Sequence, residues 1–289
     1  MEKQAVQKVV DRLKDLPTLP SVVQQIIQIV DSPHTSASDL NRAISLDQAL
    51  SAKVLKLVNS AFYGFPKRIE TLTQAIIILG FNTVRSLALS ISMLDFLSAG
   101  GSDHRLNHVE FWRHSIATSI MARAIAKKNF PQMAEEVFVS GLLHDIGILI
   151  LDQFLPGEFK KAYVRIGRDK MTLYQAEKEE LGITHCEVGR MLAMKWNLPD
   201  PLLYSISYHH TPLASHDFFP TIAAVHAANI GVKILGIGRV GDEEYYRSFH
   251  INQEARNLLR LETDFPLTHA ELMEAGMKEG EEFLKAITT

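Results

Sequence analysis

A histidine and an aspartate stand side by side in the segment "GLLHDIGIL", residues 141–149. The surrounding stretch from about Ala134 to Phe154 is apolar on nearly every face, which predicts a buried helix. An ionised carboxylate that is buried without a partner is costly, so Asp145 needs a cation, a set of hydrogen-bond donors or a proton. The His144–Asp145 pair therefore indicates either a hydrogen bond within the core or two ligands of a metal ion.

Other histidines lie on the predicted helices that follow or precede this pair, one or two helices apart. Ligands so far apart in the chain meet at one metal ion only if their helices pack side by side, as in an antiparallel bundle. A lone histidine on an apolar face is also compatible with core packing, and an adjacent histidine pair is compatible with a C-terminal helix cap. The spacing leaves both interpretations open for His114, His144, His185, His209 and His210.

The elements that must position these residues are predicted to be helices, because apolar residues recur at intervals of three and four. "THCE" predicts a capping box in which Thr184 begins a helix, with His185 in its first turn. Gly141 and Gly147 leave room beside the His144–Asp145 segment for another backbone or a bulky ligand. The predicted helices that carry or flank the candidates cover residues 111–128, 134–154, 173–181, 185–196, 200–209 and 220–235.

The domain organisation follows from these helices and from one linker. "SAGGSD", residues 98–103, is small and polar with two glycines, which is typical of a connection. We predict an all-α fold of two packed helical subdomains. The predicted division is an N-terminal helical part at 1–100, a helical bundle at 101–235 and a C-terminal helical extension at 236–289.

Composition excludes several classes of protein. The 289 residues are 46% hydrophobic, which is ample for a sizeable core. A net charge of -3 without a Lys/Arg block argues against nucleic acid as a partner. No run of 18 apolar residues and no signal peptide are evident, so we expect a cytoplasmic protein without membrane association.

Three further features are interpreted as structural. Cys186 is the single cysteine, which rules out an internal disulfide, and its direction about 100 degrees from His185 round the helix suggests packing. His226 is interpreted as a core or surface residue. The charged run Lys160–Lys170 is compatible with steering of an anionic ligand, but a solvated face is the favoured interpretation.

Seven phrases carry a family resemblance. The second half of the chain resembles the HD superfamily of metal-dependent phosphohydrolases, and both halves together resemble the HDOD domain of bacterial signalling proteins. The similarity covers about residues 10–235. The phrases are "LPTLP", "AISLDQALSAKVLKLVNSAFYG", "TLTQAIIILGFNTVRSLAL", "FWRHSIATS", "VSGLLHDIGILIL", "LGITHCEVGRMLAMKWNLPDPLLYSISYHH" and "AAVHAAN".

The resemblance implies a set of metal ligands. His114, His144 and Asp145 match the first ligands of the superfamily, and Asn229 stands where the last ligand is normally an aspartate. The three later histidines match extra histidines of the HD-GYP branch, whose members hydrolyse cyclic di-GMP. Imidazoles with one carboxylate suit one or two divalent ions of iron, manganese, zinc or nickel. The implied ligand set is His114, His144, Asp145, His185, His209, His210 and Asn229.

Two departures from the HD-GYP pattern weigh against catalysis. Ile148 replaces a lysine and cannot balance the charge of a phosphate, and no GYP motif follows His210. Asn229 is a weaker, neutral ligand than aspartate. We therefore expect a signalling module that acts through contacts with a partner protein, with a metal-capable but inactive or weakly active site. The alternative is a metal-dependent phosphohydrolase acting on a small anionic nucleotide or cyclic dinucleotide.

Overall fold

The computed structural model describes residues 11, 18–31, 35–60, 63–98, 106–238, 250–262, 264–266, 277 and 281. Within these residues the fold is all α, as predicted, and no strand occurs. The chain divides into two compact units, one formed by residues 18–99 with 271–289 and the other by residues 1–17 with 100–270. Most of the predicted linker, residues 99–103, lies outside the described part, and the division at 1–100, 101–235 and 236–289 stays a prediction.

The unit that begins at residue 18 is built from short amphipathic helices with side-chain caps. Asp47 accepts a hydrogen bond from the N–H of Leu50 and caps α3, as its position before the apolar stripe suggests. The stripe residues Val54, Leu57 and Val58 have no exposed surface and form the core. The described helices of this unit are α1 (Ser21–Asp31), α2 (Ala37–Ser45), α3 (Gln48–Val58), α4 (Leu72–Leu79) and α5 (Phe81–Ser98).

The other unit is a bundle around one long helix, His108–Asn129 (α6). This helix packs against Ala134–Leu143 (α7) and Phe219–Ile234 (α13). Helix Ile146–Phe154 (α8) packs against His185–Lys195 (α11), which in turn contacts Asp200–Tyr208 (α12). Short 3-10 turns occupy Pro131–Met133 and Pro212–Ala214. The described helices are α6 (His108–Asn129), α7 (Ala134–Leu143), α8 (Ile146–Phe154), α9 (Pro156–Asp169), α10 (Leu173–Leu181), α11 (His185–Lys195), α12 (Asp200–Tyr208), α13 (Phe219–Ile234) and α14 (Gln253–Leu258).

The run Pro131–Phe154 is the apolar centre of this bundle. By length and composition it would qualify as a membrane span, but 89% of its most apolar window is buried within the protein. The side chains of the bundle, rather than lipid, cover its apolar surface. The predicted buried character of this segment is therefore confirmed.

The prediction of one continuous helix over 134–154 is wrong at its centre. Helix α7 ends before His144 and α8 begins after Asp145, whose backbone is at φ −101° and ψ 13°. In a regular helix the carbonyl of Gly141 would accept a hydrogen bond from the N–H of Asp145. Here Nδ1 of His144 donates to that carbonyl at 2.7 Å, which accounts for the interruption.

Two glycines allow neighbouring backbones to approach the interrupted helix. A Cβ atom added at Gly141 would lie 2.8 Å from the Cα of Ser119 in α6. A Cβ atom at Gly147 would overlap the carbonyl group of His185, the first residue of α11. Of the two alternatives for these glycines, the structure shows close packing of another backbone. Gly147 thereby sets the distance between α8 and α11.

Candidate metal centre

Helices α6 and α13 bring His114 and Asn229 together in the interior of the bundle. The two residues are 115 positions apart, yet Nε2 of His114 lies 3.1 Å from Oδ1 of Asn229. His114 has no exposed surface and Asn229 is 2% exposed. The predicted position of Asn229 in the cluster therefore agrees with the geometry.

The interruption between α7 and α8 places His144 and Asp145 beside them. Because Nδ1 of His144 donates to a carbonyl, its Nε2 is the nitrogen that faces the cluster, 3.1 Å from Oδ2 of Asp145. The same Oδ2 atom lies 3.7 Å from Nε2 of His114. One carboxylate oxygen thus faces two imidazoles from different helices.

The start of α11 contributes His185. The capping box of Thr184 and Glu187 forms as predicted and fixes this end of the helix. Nε2 of His185 lies 3.4 Å from Oδ1 of Asp145, the other oxygen of the carboxylate. On the far side of the ring, Nδ1 of His185 is 2.6 Å from Oε2 of Glu177, which also accepts the backbone N–H of His185 at 2.8 Å.

Glu177 is a functional residue that the sequence analysis missed. Its side chain has no exposed surface, although glutamate is almost never fully buried without a partner. A signal existed, because Glu177 lies on the same stripe of α10 as the buried residues Leu173 and Leu181. A carboxylate that orients a metal-ligating histidine is a common second partner in metal sites.

The end of α12 contributes His209 and His210. Nδ1 of His209 contacts the carbonyls of Ser205 and Ile206 at 3.1 and 3.2 Å, and its Nε2 lies 3.2 Å from Oδ1 of Asp145. The His210 ring lies 4.4 Å from the His209 ring and 5.1 Å from the His185 ring, between centroids. His209 is buried, whereas His210 is only half-buried. We refer to the half-buried edge of the cluster at His210 as the rim.

Cys186 is buried, which agrees with its interpretation as a packing residue, and it packs against the cluster. Its sulfur lies 3.8 Å from Nε2 and 3.9 Å from Nδ1 of His209. Cys186 diverges from His185 round α11, but α12 crosses on that side and supplies His209. The sulfur therefore belongs to the cluster, which spacing along one helix could not show.

His226 supports the cluster from behind, as a buried residue rather than a surface one. Its Nδ1 donates to the carbonyl of His209 at 2.7 Å. Its Nε2 accepts the backbone N–H of Asn252 at 3.1 Å. The His226 ring therefore links the end of α12 to the segment just before α14.

The cluster has two halves that share Asp145, and we refer to them as the first group and the second group. In the first group, His114 and His144 face Oδ2, and Asn229 contacts His114. In the second group, His185 and His209 face Oδ1, and Cys186 and His210 lie beside these two histidines. All seven residues predicted from the sequence are thus brought together.

The two groups differ in protonation. Burial, together with the neighbouring His144, lowers the pKa of His114 to about 3. Burial acts to lower the pKa of His209 as well, but Cys186 and Asp145 raise it to about 9. The pKa of His185 lies well above its usual value because Glu177 and Cys186 outweigh burial. Burial also lowers the pKa of His144 and of His210. Without a metal ion these shifts favour neutral His114, His144 and His210, and protonated His185 and His209 beside Asp145.

The donor set fits a divalent metal ion. Nε2 of His144, Nε2 of His185 and Oδ1 of Asp145 are buried and have no hydrogen-bond partner among the described residues. Two ligands with bonds of about 2.1 Å lie about 3.0 Å apart at a right angle and about 3.4 Å apart at a tetrahedral angle. The separations between Asp145 oxygens and imidazole nitrogens, 3.1 to 3.7 Å, are of this size.

Two arginines of the charged run Lys160–Lys170 form local ion pairs. Arg165 pairs with Asp169 at 2.8 Å and with Glu179 at 2.7 Å. Arg168 also pairs with Asp169, at 2.6 Å. These local ion pairs agree with the interpretation as a solvated face.

The chain is an all-helical protein with a buried cluster of histidines around one aspartate. Comparison with known proteins identifies its family. Residues 16–212 match the HDOD domain. The chain belongs to the HDOD domain family.

Several known proteins are similar to this chain. A protein of uncharacterised function from Treponema pallidum (strain Nichols) is 30% identical over 238 residues, 78% of this chain and 44% of that protein. The chain thus spans less than half of that relative's length. An HDOD domain protein of unknown function from Geobacter sulfurreducens has a crystal structure that is 25% identical, with a TM-score of 0.81 and coverage of 98% of both chains.

Two further crystal structures share the fold. A Shewanella amazonensis SB2B protein, provisionally assigned as a phosphohydrolase, is 22% identical with a TM-score of 0.70, over 96% of this chain and 98% of that one. A Marinobacter aquaeolei VT8 protein, provisionally assigned to signal transduction, is 20% identical with a TM-score of 0.78, over 100% of this chain and 66% of that one. At these identities the likeness concerns the fold alone.

Proposed function

We propose that this HDOD protein is a cytoplasmic signalling module that binds one or two divalent transition-metal ions and acts through contact with a partner protein. The observation that carries metal binding is the convergence of four imidazole Nε2 atoms on both oxygens of Asp145. Their second ring nitrogens are turned away, and for His144, His185 and His209 these nitrogens contact other acceptors. This arrangement leaves Nε2 for a metal ion.

Burial supports a role other than turnover. His114, His144 and His209 have no exposed surface, and Asp145 is 2% exposed. A catalytic metal keeps an open position for water or substrate, whereas a structural or sensory one is enclosed. Ile148, in place of the lysine of the HD-GYP pattern, is itself 2% exposed and brings no charge. The expected consequence of metal binding is a fixed arrangement of five elements, α6, the α7–α8 junction, α11, the end of α12 and α13.

Elemental analysis of protein purified without chelator tests this proposal, followed by titration of the stripped protein with zinc, manganese and ferrous iron. We expect one or two bound ions per chain and a higher melting temperature in the loaded protein, since a ligand that binds only the folded state stabilises it. Absence of bound metal in both measurements would overturn the proposal.

A metal-dependent phosphohydrolase is the second candidate, and the rim favours it. His210 is half-buried beside Tyr174, with ring centroids 4.9 Å apart. The pKa values of His114 and His210 are lowered first by burial, then by a neighbouring histidine, and then by the positive charge of Lys233. A cation in that position suits a small anionic nucleotide, and a bound metal ion would activate water for attack on a phosphoryl group.

The two candidates are separated by turnover. The loaded protein is incubated with cyclic di-GMP and with bis(p-nitrophenyl) phosphate, and the products are compared with those of the Asp145→Asn variant. We expect equal, background rates for both proteins. Turnover that depends on Asp145 and on added metal would favour the phosphohydrolase.

A further inference from the structure

Cys186 has a position that packing alone does not require. It is the only cysteine in the chain and is 3% exposed. Its sulfur and one ring nitrogen from each of His185, His209 and His210 all lie within 4.8 Å of one another. Four groups that can each donate an electron pair to a metal therefore lie close together.

A second observation points to a ligand at the same place. Nε2 of His185 is buried, is directed toward Oδ1 of Asp145 and has no hydrogen-bond partner within the described part of the chain. Oδ1 of Asp145 also makes no well-aligned hydrogen bond there, although Nε2 of His209 and Nε2 of His185 face it at 3.2 and 3.4 Å. A buried polar atom without a hydrogen bond is costly, and a metal ion between these atoms would satisfy both.

We propose that the Cys186 thiolate is a metal ligand of the second group and makes this half of the centre selective for zinc or ferrous iron over manganese or magnesium. The proposal rests on the proposed metal binding and adds the chemical class of the ion. Thiolate is a soft ligand that favours zinc and iron, whereas magnesium and manganese prefer oxygen.

The geometry agrees with shared coordination. With a metal–sulfur bond of about 2.3 Å and a metal–nitrogen bond of about 2.1 Å, the two atoms lie about 3.6 Å apart at a tetrahedral angle and about 3.8 Å apart at 120 degrees. The sulfur of Cys186 is 3.8 Å from Nε2 of His209, which matches these values, and 3.9 Å from Nδ1 of the same ring. A thiol hydrogen bond or a sulfur–ring contact is the competing explanation, and it predicts no bond to the metal.

Cobalt(II) substitution separates these explanations without any assay of activity. The stripped protein is titrated with cobalt(II) and its absorption spectrum is recorded. A sulfur ligand produces an intense near-ultraviolet charge-transfer band, whereas nitrogen and oxygen ligands produce only weak visible bands. Because the chain has one cysteine, such a band can arise only from Cys186. We expect the band in the wild-type protein and its loss in Cys186→Ser with cobalt still bound.

A matched set of variants tests the location of the sulfur ligand. His114→Ala removes a ligand of the first group and is expected to retain the band, whereas His185→Ala is expected to lose or shift it. In competition titrations Cys186→Ser is expected to lose zinc affinity by about 10- to 100-fold or more, with little change for manganese. Circular dichroism of each variant verifies folding.

The outcomes distinguish this proposal from the one on which it rests. Cobalt that binds to the wild-type protein without a charge-transfer band would overturn thiolate ligation and leave the metal centre in place. Cobalt, zinc and iron that do not bind at all would overturn both. The wild-type spectrum alone decides between these cases, even if a variant fails to fold.

Discussion

The two halves of the cluster share one carboxylate but differ in everything that surrounds it. The first group is neutral, enclosed on all sides and limited to nitrogen and oxygen donors. The second group carries protons in the absence of metal, has Glu177 and Cys186 beside its histidines, and reaches the rim through His210. Under the proposed metal binding, an ion in the second group displaces protons from His185 and His209, so we expect binding there to depend more on pH than binding to the first group.

Removal of the shared carboxylate, Asp145, is expected to have the largest effect on both groups. Asp145→Asn removes the carboxylate charge that both halves share, and we expect it to abolish binding at both, a loss larger than about 100-fold in affinity. The measurement is metal content after dialysis, with calorimetric titration. Asp264→Asn, the same change at an exposed position after α14, is the control. Retention of one full equivalent by Asp145→Asn would show that the halves do not depend on a common carboxylate.

Single ligand deletions test whether the halves bind separate ions. His114→Ala and His185→Ala are each expected to lower the metal stoichiometry by one ion, because each removes one imidazole from only one group. The exposed His250→Ala variant should bind like the wild type. If either deletion removes all bound metal, the two groups hold a single ion between them.

The support of the second group can be weakened without touching a ligand. Glu177→Gln removes the charge that accepts Nδ1–H of His185, and we expect the zinc affinity of the second group to fall by about 10- to 100-fold. Glu179→Gln makes the same change on an exposed side of α10. Titrations of both variants in parallel measure the effect, and equal affinities would contradict an orienting role for Glu177.

The distance between α8 and α11 is the next variable. Gly147→Ala places a methyl group against the carbonyl of His185, and we expect a loss of about 1–3 kcal/mol in the free energy of unfolding, with weaker binding at the second group. Gly167→Ala, at a position with open space around it, should be neutral or slightly stabilising. Urea denaturation measures both variants, and equal stability would contradict the close approach.

The smallest expected effect is a change in the metal affinity of the first group. Asn229→Asp supplies the carboxylate that the HD pattern normally has, and we expect metal affinity of the first group to rise by about tenfold. Asn257→Asp, on the exposed side of α14, controls for the added charge. Unchanged affinity in Asn229→Asp would mean that this amide supports His114 rather than facing the ion.

The helices and their caps could be predicted because their signals are local. Asp47 and Thr184 cap the helices that their sequence context indicates, and the segment Leu173–Leu181 forms the predicted helix. The resemblance named seven residues that the structure brings together, whereas spacing alone did not decide between core and site; their role as ligands stays a prediction. Local patterns thus predicted most of the helices, and family motifs predicted which seven side chains lie together.

The parts that could not be predicted depend on contacts between distant segments. The break at His144–Asp145 arises from a side-chain hydrogen bond that competes with the helix. Cys186 joins the cluster only because α12 crosses α11. Glu177 gave a usable signal, a carboxylate on an apolar stripe, but its partner is eight residues away in another helix. Such features need the packing of helices, which periodicity does not specify.

The hydrogen bonds of His226 bear on how much of the chain is needed to hold the cluster. The match to the HDOD domain stops at residue 212, yet the ring that fixes the His209 carbonyl lies at 226 and is itself anchored by the amide of Asn252. A fragment cut at the family boundary would lack both the ring and its anchor. Any shortened version intended to keep the centre intact therefore has to extend through α14.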